Sequence, residues 1–94
     1  YVDINSNANS KKIFNYLKKY YKNEKFINIA QQNMMISTNE VINTNMCKIS
    51  ICDSKLKNKI IILSAIDNLI KGGSGQAVQN FNIKFNFKED LALT

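Results

Sequence analysis

The stretch Ile60–Ile66 is almost wholly apolar, and it runs into Asp67-Asn68 and then into the only glycines of the chain, Gly72, Gly73 and Gly75. A short apolar run of this kind is typical of a strand buried on both faces. It is far too short to cross a bilayer as a helix. The polar Asp67-Asn68 pair ends the strand, and a helix follows from Leu69 or Gly72 to Phe85. Ile70, Ser74, Ala77, Val78, Phe81 and Phe85 line one face of that helix. Each glycine costs a helix up to about 1 kcal/mol relative to alanine. Three of them crowded into its start imply close approach of another backbone or of a ligand.

Upstream, Cys47, Ile49 and Ile51 alternate with Lys48 and Ser50, which predicts a half-buried strand. Asp53 to Asn58 is a turn, so this strand and Ile60–Ile66 form an antiparallel hairpin. Tyr1 to Ile4 reads as the end of a strand, Phe26 to Ile29 as a short strand, and Gln31 to Asn45 as loop. Between Lys11 and Tyr21, Ile13, Leu17, Tyr20 and Tyr21 recur at helical spacing with lysines opposite. That is an amphipathic surface helix, with Ser10 as its candidate N-cap.

The chain has 94 residues, enough for one small domain. Its formal charge is +6, and all thirteen basic residues are lysine. The lysines are scattered, and arginine, the bidentate reader of guanine, is absent. A solvated surface accounts for them, with no nucleic-acid partner and no membrane partner. Cys47 and Cys52 fall on opposite faces of a strand, so they do not bridge each other. With no histidine in the chain they form no metal site. Free thiols in a reducing cytoplasm are the simplest account. The first residue is tyrosine, which makes a piece of a larger domain plausible.

The corner from Ser64 to Asn82 carries the chemical information. The first turn of a helix offers unpaired N–H groups and a partial positive charge, so it can receive an anionic or polar ligand. Gly73-Ser74-Gly75 supplies only part of a dinucleotide fingerprint, and no Gly-Lys-Ser/Thr makes a phosphate loop. Small residues packed against a neighbouring element explain the same pattern.

The string from Ile66 to Asn82 closely resembles the carboxyl-terminal signature of N-acetyl-gamma-glutamyl-phosphate reductases, roughly I-D-N-L-x-K-G-A-x-G-Q-A-x-Q-x-x-N. Tyr21 with Phe26-Ile27, and Thr44-Asn45-Met46-Cys47, resemble further segments of that family in the same order. Gly73 departs from the usual alanine, and the loop from Gln31 to Glu40 lacks the usual proline.

The resemblance implies an α+β fold: two helices on a mixed, mostly antiparallel sheet, the C-terminal part of a glyceraldehyde-3-phosphate-dehydrogenase-like two-domain α/β enzyme. Residues 1–66 would belong to the substrate/dimerisation domain, its upstream part missing. Residues 67–94 would be a helix and tail packing near the NADP-binding domain. The implied activity is NADP-dependent reduction of an acyl phosphate in arginine biosynthesis, in the cytoplasm, by a homo-oligomer. The nucleophilic cysteine, the histidine acid/base and the phosphate-binding loop of the family lie upstream, so the resemblance assigns this chain no catalytic residue. Cys47 aligns with a strand cysteine, and its alternation with Ile49 and Ile51 predicts an inert thiol.

The cofactor-binding candidates are Asn68, Gly72 and Gly73. In the wider superfamily an asparagine at this corner contacts the nicotinamide carboxamide, and an Asn side chain has the donor and acceptor for it. The same residue could instead cap the following helix. The small glycines would admit the cofactor or its domain. Lys71 faces either solvent or the substrate site. Two rival readings stand beside this one. The first is aspartate-semialdehyde dehydrogenase, which shares the corner but not Gln76, Gln79 and Asn82. The second is a stand-alone basic α+β module that binds nucleic acid.

Overall fold

In the computed structural model, which describes residues 1–93, four strands and two helices form an α+β fold. The strands are β1 (Val2–Asp3), β2 (Ile27–Ile29), β3 (Cys47–Asp53) and β4 (Lys59–Ile66). They lie in one mixed sheet in the order β1-β4-β3-β2. The hairpin of β3 and β4 is its centre, antiparallel and in register from Cys47 against Ile66 to Asp53 against Ile60. β1 pairs antiparallel with β4, and β2 pairs parallel with β3.

Alternation sets the hairpin, but the two strands exchange the burial expected of them. β3 is the more enclosed: Ser50, Ile51 and Cys52 are all buried, on both faces of the sheet. The loop after β2 lies over Ser50, whose hydroxyl donates to the Met34 carbonyl. β4, despite its longer apolar run, buries Ile60 and Ala65 but leaves Ile62 37% exposed and Ser64 open. An uncovered sheet face explains this. The rest of the core is Phe26, Ala30 and Val41.

Helix α1 (Ser10–Tyr20) packs on β3. Its cap is Asn9, not Ser10: the Asn9 side chain accepts from the Lys12 amide at 2.9 Å. Ser10 begins the helix and ties it to the sheet. Its hydroxyl donates to the Asp53 carboxylate and accepts from Gln32 Nε2 at 2.7 Å. Asn33, in the left-handed region at φ 66°, grips the Asp53 amide from the other side at 2.7 Å. Phe14 joins Ile13 and Leu17 on the half-buried face, while Tyr20 turns outward and stacks on Tyr16.

After β4 the chain makes a wide π-type turn, Ile70–Ser74, and then helix α2 (Gly75–Lys84). The buried residues of α2 are Gly75 and Asn82, two turns apart. The face that carries Phe81 and Phe85 is turned out at this end; both residues are more than half exposed and their rings pack on each other at 4.6 Å. Asn82 holds the tail by donating to the carbonyls of Glu89 and Leu91 at 3.0 and 2.9 Å. Among the described residues no helix is long and apolar enough to cross a membrane.

Candidate functional site

The corner between β4 and α2 is built around Asp67. Its Oδ1 accepts from the amides of Leu69 and Ile70 at 2.8 and 3.3 Å, which caps the turn. Its Oδ2 accepts from the Asn43 amide at 2.8 Å. These backbone donors, Asn43 first, hold the Asp67 carboxyl below its ordinary range. The Asp67 carbonyl adds bonds from Ile70 and Gly72. The turn is wide because bonds span five residues, from Gly72 to Asp67 and from Ser74 to Leu69, both at 3.1 Å.

Asp67 therefore does the capping that Asn68 could have done. Asn68 is exposed, and its Oδ1 lies over Gly72, 3.1 Å from where a Cβ would stand. It forms the rim of an open groove of ≈ 400 Å³, shared with Thr38, Ile42, Asn43, Ile66 and Leu69. Thr38 belongs to a single 3₁₀ turn, Thr38–Glu40, in the loop between β2 and β3. Ile42 and Leu69 expose apolar side chains here, at 56% and 76%.

The glycines separate into different roles. None has positive φ, and Gly73 marks the kink of the turn, at φ −141° and ψ −113°. A Cβ on Gly72 would meet Asn68 Oδ1 and Ile66 Cδ1, both tips of side chains; on Gly73 it would meet only the Asn68 carbonyl, at 3.3 Å. Gly75 is the enclosed one, against Asn45 and Ile70. Of the sequence candidates, the structure puts Asn68 on the groove, with Gly72 and Gly73 beside it in the turn and not in the groove lining.

Beneath the corner lies a polar network that sequence reasoning missed. The buried Asn45 donates to Gln79 Oε1 at 2.9 Å, and Lys71 donates to the same oxygen at 2.7 Å. Gln79 in turn donates to Glu89 at 2.9 Å. Lys71 is therefore turned into the fold, 5.5 Å over the Phe26 ring. Cys47 is half-buried, and burial pushes its thiol up, against a weaker opposing pull from Lys71. A raised thiol is a poor nucleophile at neutral pH. No grouping of metal-ligating side chains is found among the described residues.

Residues 1–68, ending on the groove asparagine, match the semialdehyde dehydrogenase dimerisation domain, and the chain belongs to that family. Within it, the chain is similar to N-acetyl-gamma-glutamyl-phosphate reductases. The protein of that name from Vesicomyosocius okutanii is 47% identical over 99% of this chain and 26% of its own length. Those from Karelsulcia muelleri and Thermoanaerobacter pseudethanolicus are 49% and 39% identical, over 86% and 99% of this chain and 24% and 27% of their own. The resemblance read from the Asp67–Asn82 signature thus extends along nearly the whole chain. The chain spans about a quarter of the length of these curated relatives.

Proposed function

We propose that this chain forms the carboxyl-terminal part of an NADP-dependent reductase that makes N-acetylglutamate semialdehyde from N-acetyl-gamma-glutamyl phosphate in arginine biosynthesis. The observation that carries the reading is 47% identity to a reductase of that name over 99% of the chain. The enzyme would work in the cytoplasm as a homo-oligomer, consistent with the family's description as a dimerisation domain. Residues 1–66 would belong to the substrate/dimerisation domain of a two-domain enzyme with a mostly antiparallel sheet. Residues 67–94 would return toward the NADP-binding domain.

The residues present suit a nicotinamide cofactor. Asn68 keeps its amide clear of the cap, which Asp67 provides. That amide offers both a donor and an acceptor to a carboxamide. Gly72 and Gly73 keep the approach low. When bound, NADPH would supply the hydride that reduces the acyl phosphate to the aldehyde, with one proton taken up and inorganic phosphate released. This chain would bind and orient; it has no histidine to serve as the family's acid/base, and its raised Cys47 thiol is no nucleophile.

The test is NADPH oxidation by the protein of the whole reading frame that carries these residues. Turnover with N-acetyl-gamma-glutamyl phosphate and not with β-aspartyl phosphate is expected. The opposite preference would make it the sister dehydrogenase, and inertness toward both would overturn the reading.

A further inference from the structure

Resting on the reading of Asn68 as the carboxamide contact, we propose that Asp67 is a positioning residue. It clamps the loop Thr38–Asn43 to the β4–α2 turn, so that Ile42 becomes the second wall of the cofactor groove. The Asp67 carboxylate divides its oxygens between two segments distant in sequence. Oδ1 serves Leu69 and Ile70, and Oδ2 serves Asn43 at 2.8 Å. The loop arrives at this clamp already shaped. Ser37 and Lys48 both donate to Glu40 at 2.7 Å, Thr44 closes on the Val41 carbonyl at 2.6 Å, and Asn43 adopts φ 61°.

The consequence is visible at neighbouring residues. Val41 is driven into the core at 2% exposure, and Ile42 is held outward at 56%, on the groove. Ile42 and Leu69 then flank the Asn68 amide with apolar surface. A flat, weakly polar ring bearing one carboxamide is the complement of that lining, and the groove volume is within the range of ligand clefts, about 300–1,000 Å³. The loop is a separate contribution from the signature segment. It would set how tightly the nicotinamide end is held, while Asn68 sets what is recognised.

Asp67→Asn is a selective probe of the clamp. The new amide can keep one oxygen on Leu69 and Ile70, but its NH₂ then faces the Asn43 N–H, donor against donor. In the full-length enzyme, NADP binding without substrate is followed by fluorescence titration, together with amide exchange at Asn43. Asp67→Asn is expected to speed exchange at Asn43, to spare Leu69 and to weaken NADP binding about tenfold. Ile42→Ser, at an exposed site, is expected to weaken binding comparably with no change in Tm, and it decides the matter should Asp67→Asn not fold. If Ile42→Ser binds NADP normally while Asn68→Ala does not, the clamp proposal fails and the reading of Asn68 stands. If Asn68→Ala also binds normally, both fail.

Discussion

A methyl group on Gly75 would overlap the side-chain oxygen of Asn45, a residue with no exposed surface of its own. It would also come within 2.7 Å of the Ile70 carbonyl. Neither neighbour can yield cheaply, because Asn45 is held by Gln79 and the Ile70 carbonyl belongs to the turn. Gly75→Ala is therefore expected to destabilise the protein by about 1–3 kcal/mol, the usual cost of overpacking. Thermal or urea unfolding checks this, and a variant as stable as the parent would contradict the packing described.

Gly72 should behave differently. Its added Cβ would press on the tips of Asn68 and Ile66, which can swing aside. Gly72→Ala should leave stability within about 1 kcal/mol of the parent, helped by the helix propensity of alanine. Displacement of the Asn68 amide should nonetheless raise the KM for NADPH several-fold. Paired unfolding and kinetic measurements separate these effects, and a KM unchanged by Gly72→Ala would show that Asn68 is not held from that side.

These contrasts mark how far the sequence could be read. The β3–β4 hairpin and α1 were legible because each carries its own period. The reductase resemblance was legible in Asp67 to Asn82, and of the residues singled out there Asn68 lies on the groove. The cap at Asn9 rather than Ser10 was missed because both residue types suit that position, and only the distant Asp53 takes Ser10 away. The inward face of α2 was not legible because apolarity marks Phe81 and Phe85, which are exposed. The small Gly75 and the hydrogen-bonded Asn82 let the helix lie close instead. The Asp67–Asn43 and Asn45–Gln79 contacts join residues far apart in the chain, so no local pattern announces them.

Asp67 also sets a pH dependence. Hydrogen bonds from Asn43 and Leu69 lower its folded pKa. Its contribution to stability is therefore whole above the ordinary carboxylate range of about 4, and is lost as pH falls through the lower folded value. Asp3, Glu40 and Asp90 are lowered chiefly by hydrogen bonds to Lys59, Lys48 and Lys25, at the surface. Those ion pairs are screened by salt, whereas the backbone amides around Asp67 are not. In concentrated salt the parent should keep part of its acid sensitivity and Asp67→Asn should keep less of it, the remainder coming from the Ser37 amide on Glu40. Identical acid unfolding curves would refute the assignment.

Both thiols should react slowly in the folded protein. Cys52 is buried, and Cys47 is half-buried with its thiol pushed up by desolvation. Iodoacetamide at neutral pH should label them at least about tenfold more slowly than the unfolded chain, since the thiolate is the reactive form. Rapid labelling of Cys47 in the native protein would reopen its inert role.

The most direct measurement is the NADPH dissociation constant of the full-length enzyme carrying Asn68→Ala, beside its Tm. Asn68 takes no part in the cap that Asp67 makes, so the melting temperature should hold while cofactor affinity falls about tenfold or more. Unaltered affinity in a normally folded variant would place the nicotinamide elsewhere and contradict the account.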